Sequence, residues 1–164
     1  MPKSSTVNKT PIACTDHNHE HCIEEALIKA EQLCAKRGAR LTALRRNVLR
    51  LIWKNHAPLG AYDLMDMLAE EDTRRVAPPT VYRSLEFLLD QGLIHRINSL
   101  NAYVGCHSPS DDHEEYFLIC RECGVAVEVP AKEISRAIDK NAEAMGFTIE
   151  TQTLEVVGLC PNCK

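Results

Sequence analysis

A chain of 164 residues with 45% apolar content is long enough for one generous domain or two small ones, and too rich in core-forming side chains for a disordered polypeptide. The opening MPKSSTVNKT lacks the apolar stretch of a secretory signal, and no later segment approaches the ~18 consecutive apolar residues of a membrane span, so a cytoplasmic chain without membrane contact is expected. The formal charge of −4 argues against coating nucleic acid by overall positive charge, but the charge is divided: Lys36, Arg37, Arg40, Arg45, Arg46 and Arg50 have no acid among them, whereas residues 110–128 hold Asp111, Asp112, Glu114, Glu115, Glu122 and Glu128 against Arg121 alone.

Residues 1–22 are polar, lack periodicity and end in Cys14, His17, His19, His21 and Cys22; they read as a flexible tail whose His-rich tract needs no specific role. From Ile23, apolar residues at Ala26, Leu27, Ala30, Leu33 and Cys34 recur at helical spacing up to Gly38, which predicts a first helix with Cys34 in the core. Thr42 is placed to cap a second helix to about Lys54, and a third runs from Ala61 to about Glu70. Prolines 78 and 79, Thr80 as N-cap and Gly92 as terminator punctuate a fourth, with Val81, Leu85, Leu88 and Leu89 inward and Thr80, Arg83 and Ser84 on or beside the free face. Leu93–Ile97 and Ala102–Cys106 then read as two strands around a turn, so that helices followed by a hairpin make a winged helix-turn-helix pattern over 23–105.

Beyond an acidic hinge loop, 106–115, the pattern changes. Tyr116–Cys120 and Val125–Val129 read as a hairpin, Ala131–Met145 as an amphipathic helix ended by Gly146, and Phe147–Leu159 as a strand returning antiparallel. The fold class is therefore α+β: an N-terminal winged helix and a small C-terminal α/β domain at 116–164.

Eight cysteines in a reducing compartment direct attention to metal or redox chemistry. Cys120-x-x-Cys123 and Cys160-x-x-Cys163 each lie beside a strand end and present four thiolates, the donor set of a closed structural zinc site, although 36 residues separate the pairs. A thioredoxin-like use of either pair requires a βαβ setting that is missing, which leaves a thiol redox switch as the rival reading. A C-terminal domain of about 55 residues has little core of its own, so metal ligation supplies much of its folding energy. A looser group, His95, Cys106, His113 and Glu128, offers N, S and O donors from both halves and suits a sensor that joins them on metal binding; a strand histidine, a buried thiol and a solvated acidic loop explain the same residues equally well, and His107, Asp111 and Asp112 compete as ligands. No nucleophile, base and orienting group assemble at a familiar spacing, so an enzyme acting on a small-molecule substrate is not expected.

The blocks RLTALRRNVL, GAYDLMDML, PPTVYRSLEFLLDQGLIHR, NAYVGC, FLICRECG and GLCPNC resemble the ferric uptake regulator family, and within it the zinc-responsive branch, over residues 24–164. The resemblance implies a homodimeric winged-helix repressor that binds double-stranded operator DNA when zinc-loaded and represses zinc-uptake genes. It implies two zinc ions per chain, one structural at Cys120, Cys123, Cys160 and Cys163 and one regulatory at His95, Cys106, His113 and Glu128. It also implies base contacts from Tyr62 and Arg83; Thr80 and Tyr82 fit phosphate contacts, and Arg45 and Arg46 the electrostatic footprint. Iron-responsive members carry a His-His-x-His type run where this chain has Cys106-His107 and an isolated His113, and a thiolate favours zinc over harder metals. A relative answering to iron, manganese or peroxide is the nearest alternative.

Overall fold

The computed structural model describes residues 19–55, 57–71, 76–109 and 114–164. Among them, helices α1 (His19–Lys36), α2 (Ala43–Lys54), α3 (Ala61–Glu71) and α4 (Pro78–Asp90) precede a wing of β2 (Ile94–Ile97) and β3 (Ala102–Gly105), with the two-residue β1 (Leu59–Gly60) on its far edge. The second part holds β4 (Glu115–Cys120), β5 (Ala126–Pro130), α5 (Lys132–Ala144) and β6 (Glu155–Gly158). No helix among the described residues is long and apolar enough to cross a membrane.

The amphipathic stripes meet in one core. Leu27, Ala30 and Cys34 of α1, Val48, Leu49, Leu51 and Ile52 of α2, Leu64 and Leu68 of α3, and Val81, Leu85 and Leu88 of α4 are all buried together with Leu93 and Ile94. The Thr42 hydroxyl accepts from the Arg45 backbone N–H at 3.4 Å and caps α2 as expected. Gly38 and Gly92 both follow helices with positive φ (68° and 64°), a conformation that closes a helix at little steric cost only in glycine.

Three local expectations are corrected. Helix α1 opens at His19, four residues before Ile23, so His19, His21 and Cys22 belong to its first turn; Cys14 and His17 lie outside the described residues. Helix α4 opens at Pro78 after Ala77, with prolines at the first two positions, which makes Thr80 a residue of the first turn rather than the cap. Ser84 is buried rather than on the free face, and its hydroxyl donates back to the Thr80 carbonyl at 3.0 Å.

The larger correction concerns the C-terminal sheet, whose order is β5-β4-β6. β4 and β5 are antiparallel, but β6 runs parallel to β4, with Phe117 beside Glu155 and Cys120 beside Gly158. Both cysteine pairs follow the C-terminal ends of their strands, so only parallel alignment brings them together; α5 and the segment after it supply the crossover that parallel strands need. The alternation from residue 147 overstates the strand, which pairs only over Glu155–Gly158.

Strand alternation gives the sheet two distinct faces. Glu115, Phe117 and Ile119 of β4 look toward the wing, where Phe117 and Ile119 bury against Ile97 with Val104 and Ala126 alongside. Glu128 and Glu155 flank Phe117 on the two neighbouring strands. On the opposite face Leu118, between Val127 and Val156, is 42% exposed.

Candidate metal centres and recognition surface

The donor atoms of Cys120, Cys123, Cys160 and Cys163 all lie within 4.8 Å of one another, at the shared end of β4 and β6. The Cys123 and Cys160 sulfurs are 3.7 Å apart, close to the edge of about 3.8 Å that a tetrahedron with Zn–S bonds of ~2.3 Å requires. Backbone N–H groups of Cys123 and Cys160 pull the Cys120 thiol down to about 6, and the Cys160 N–H reaches its sulfur at 3.4 Å. The neighbouring sulfur of Cys160, followed by that of Cys123, pushes Cys163 up to about 12. Four thiols so close cannot all ionise unless a cation neutralises them, and the donor set fits zinc.

The second cluster forms where the wing meets the C-terminal sheet. His95 on β2, Cys106 just past β3 and Glu128 on β5 place one donor atom each within 4.8 Å. His113, with Asp111 and Asp112, lies outside the described residues. His95 Nε2 is 3.7 Å from Glu128 Oε1, and its ring packs at a tilt on Phe117, with centroids 5.4 Å apart. His107, the expected competitor, engages the other carboxylate oxygen of Glu128 through Nδ1 at 3.4 Å and through its backbone N–H at 3.2 Å, and sets its ring edge-on to Trp53. Burial opposes the charge on Glu128, but the hydrogen bonds from His107 and the nearby His95 ring outweigh it and hold the carboxyl well below its usual range. Burial first, and the Glu128 charge second, push the Cys106 thiol up to about 12, so a metal ligating here displaces a proton. Mixed N, S and O donors suit zinc.

Gly105 precedes Cys106, and a Cβ there would land on the Trp53 indole ring. Gly105→Ala is therefore expected to destabilise the winged helix by about 1–3 kcal/mol through overpacking. A lowered thermal midpoint checks this, and a wild-type melt would mean that Trp53 has room to withdraw.

Two residues join the halves without having been singled out in the sequence. The Glu115 carboxylate lies 3.1 Å from His95 Nδ1, and Glu155 accepts the backbone N–H groups of Asn98 and Ser99 at the wing tip, at 2.6 and 3.1 Å. Burial disfavours the Glu155 charge, but hydrogen bonds from Ser99 and from the Asn98 backbone overcome this and lower its carboxyl. Residue type and spacing carry no signal for either contact, because both depend on the β4–β5 and β4–β6 registers.

The expected recognition residues gather on the helix-turn-helix. Thr80, Tyr82 and Arg83 are exposed on the first turns of α4, and Tyr62, at 75% exposure, stands on the first turn of α3. Arg45 differs: its guanidinium lies 3.7 Å from the centre of the Phe87 ring and donates to the Arg40 carbonyl at 2.7 Å. Arg46 pairs with Glu31 of α1 at 2.7 Å. Both arginines thus have intramolecular partners that brace α2 against α4 and α1.

A winged helix joined to a cysteine-bound α/β sheet, with a second ligand cluster at the junction, defines a two-part metal-binding winged-helix protein. The profile of the Ferric uptake regulator family matches residues 36–157, and the chain belongs to that family. It is 40% identical over 141 residues, 85% of this chain and 82% of the relative, to the zinc uptake regulation protein of Escherichia coli (strain K12). Its fold resembles that of a zinc uptake regulator complexed with zinc and DNA, with TM-score 0.81 and 40% identity over 86% of this chain and 94% of that one. The crystal structure of holo XcZur gives TM-score 0.77 at 44% identity over 85% and 96% of the two chains. The crystal structure of apo XcZur, at 42% identity over 87% and 98% of the two chains, gives TM-score 0.53.

Proposed function

We infer that this protein is a zinc-responsive transcriptional repressor that binds operator DNA as a homodimer when zinc-loaded and represses zinc-uptake genes. The observation that carries the reading is the cluster of His95, Cys106 and Glu128, drawn from both sides of the junction between wing and sheet. Zinc supplies a Lewis-acid centre that these donors share, with His113 as the fourth ligand. Because His95 belongs to the winged helix, 23–105, Cys106 is the first hinge residue directly after β3, and Glu128 belongs to the dimerisation unit, 116–164, their common ligation would fix the angle across the hinge, 106–115. A fixed angle sets the spacing of two recognition helices on a palindromic operator. Ligation must favour that arrangement differentially, since equal affinity for both arrangements shifts nothing.

A second ion per chain belongs to the four cysteines and has a scaffold role. The dimer uses the sheet face around Leu118, Val127 and Val156, where exposed Leu118 and Val156 form a cross-strand row with the half-buried Val127. The Cys106 thiolate favours zinc over iron or manganese as the regulatory metal. The testing experiment is zinc titration with operator present. Two ions per chain of very different affinity are expected, with operator binding following the weaker; operator affinity independent of zinc would sink the reading.

Arg83, with Tyr62 beside it in the motif, reads base edges, while Thr80, Tyr82, Arg45 and Arg46 serve the phosphates. Arg83→Lys keeps the charge but loses the planar fork that pairs bidentately with guanine. Specific affinity is expected to fall about 10–100-fold with non-specific binding retained. Fluorescence anisotropy on operator and scrambled duplexes reads the difference, and equal losses on both would reassign Arg83 to the backbone.

A further inference from the structure

We propose that Glu115 is a positioning residue for the regulatory zinc site, accepting the Nδ1–H of His95 so that Nε2 is the nitrogen presented to the metal. The proposal rests on the reading that His95, Cys106 and Glu128 bind zinc, and adds to it a residue outside the ligand set.

The two ring nitrogens of His95 face different groups at different distances. Nδ1 lies 3.1 Å from Glu115 Oε1, the separation of a hydrogen bond, whereas Nε2 lies 3.7 Å from Glu128 Oε1, beyond hydrogen-bond range and near the edge of about 3.4 Å that two such donors span on a tetrahedral zinc. A ligating imidazole needs one bare nitrogen and one that keeps its hydrogen, and a carboxylate at the second nitrogen decides which is which while making the first more basic. Glu115 is well placed to hold this role rigidly. It sits at the start of β4 in register with Pro130, on the same sheet face as Phe117, which packs against the His95 ring. The side chains of His95 and Glu115 are only 13% and 18% exposed, so water competes little for the bond. The contact also crosses between the halves, since His95 belongs to the wing and Glu115 to the C-terminal sheet. Zinc ligation and the Glu115 contact therefore demand the same domain angle, and each preorganises the other.

The test compares wild type, Glu115→Ala and Glu115→Gln as full-length dimers with the four-cysteine site loaded. In wild type and Glu115→Gln, whose amide oxygen still accepts, ¹⁵N imidazole shifts are expected to report the Nδ1–H tautomer of His95; in Glu115→Ala they move toward the Nε2–H form. Regulatory zinc affinity, measured against a chelator, falls about 10–100-fold in Glu115→Ala and recovers substantially in Glu115→Gln. The cobalt(II) spectrum of the regulatory site keeps its intensity and thiolate band in both variants. Unchanged affinity and tautomer in Glu115→Ala would overturn the proposal, and a cobalt spectrum that loses a ligand would overturn it by making Glu115 a donor. Absence of regulatory zinc from the wild type would instead overturn the underlying reading.

Discussion

Stripping metal from Cys120, Cys123, Cys160 and Cys163 with a strong chelator under reducing conditions is expected to melt the C-terminal sheet and dissociate the dimer, read as lost far-ultraviolet circular dichroism and a fall to monomer mass. The asymmetry of the core explains the size of the effect. Among the described residues, the buried apolar side chains beyond residue 114 are Phe117, Ile119, Cys120 and Ala131, whereas the helical part packs a continuous cluster from Leu27 to Ile94. A sheet with so little buried area cannot offset its conformational entropy alone. Zinc ligation worth roughly 10–16 kcal/mol in small zinc-dependent domains exceeds the whole stability of many proteins. The same outcome is expected for Cys160→Ser. The winged helix, with its own core, should retain a cooperative melt. Stripped protein that keeps its full dichroism and dimer mass would contradict the scaffold role.

Replacing Cys106 by Ser should leave fold, dimer and scaffold metal intact and remove the zinc response of operator binding. A coupling of about 1–3 kcal/mol between sites corresponds to a loss of roughly 5–150-fold in the zinc-induced gain in affinity. Linkage requires that operator tighten regulatory zinc in the wild type by the same factor, so isothermal titration with and without DNA checks the number from the other side. The thiol, held up at about 12 by burial and Glu128, remains protonated near neutral pH until metal arrives. Wild-type regulatory zinc affinity should therefore rise about tenfold per pH unit from this proton alone, a dependence that Cys106→Ser loses. A Cys106→Ser protein whose operator binding still follows zinc would place the sensor elsewhere.

The helical half was legible because periodic side chains and local punctuation act over a few residues: Thr42 caps α2 and Gly92 closes α4 as the sequence predicts. Thr80 misled because two prolines can occupy the first helical turn, which moves the cap three residues upstream, from Thr80 to Ala77. Cysteine spacing identified a four-thiol group but not strand direction, since nothing local distinguishes a parallel from an antiparallel partner 36 residues away. The junction cluster was visible as residue types, and three of its expected members come together. Glu115 and Glu155 stayed hidden, because an acidic residue in a strand acquires its role only when register selects what it faces.

Glu128 and Glu155 flank Phe117 in one cross-strand row, and the two carboxylates grip the wing at separate points: one through His95 and the metal cluster, the other through the backbone at Asn98 and Ser99. A body held at a single point can still swivel about it, whereas two separated points define an axis and a third contact stops rotation about that axis. Glu155 needs no ion for its grip, and Phe117 supplies an apolar fulcrum between the carboxylates. Under the proposed role of the junction cluster, zinc would have to arrest only the residual swing of a wing already tethered at its tip, which would lower the entropic cost of closure and let one ion set the posture of the DNA-reading half.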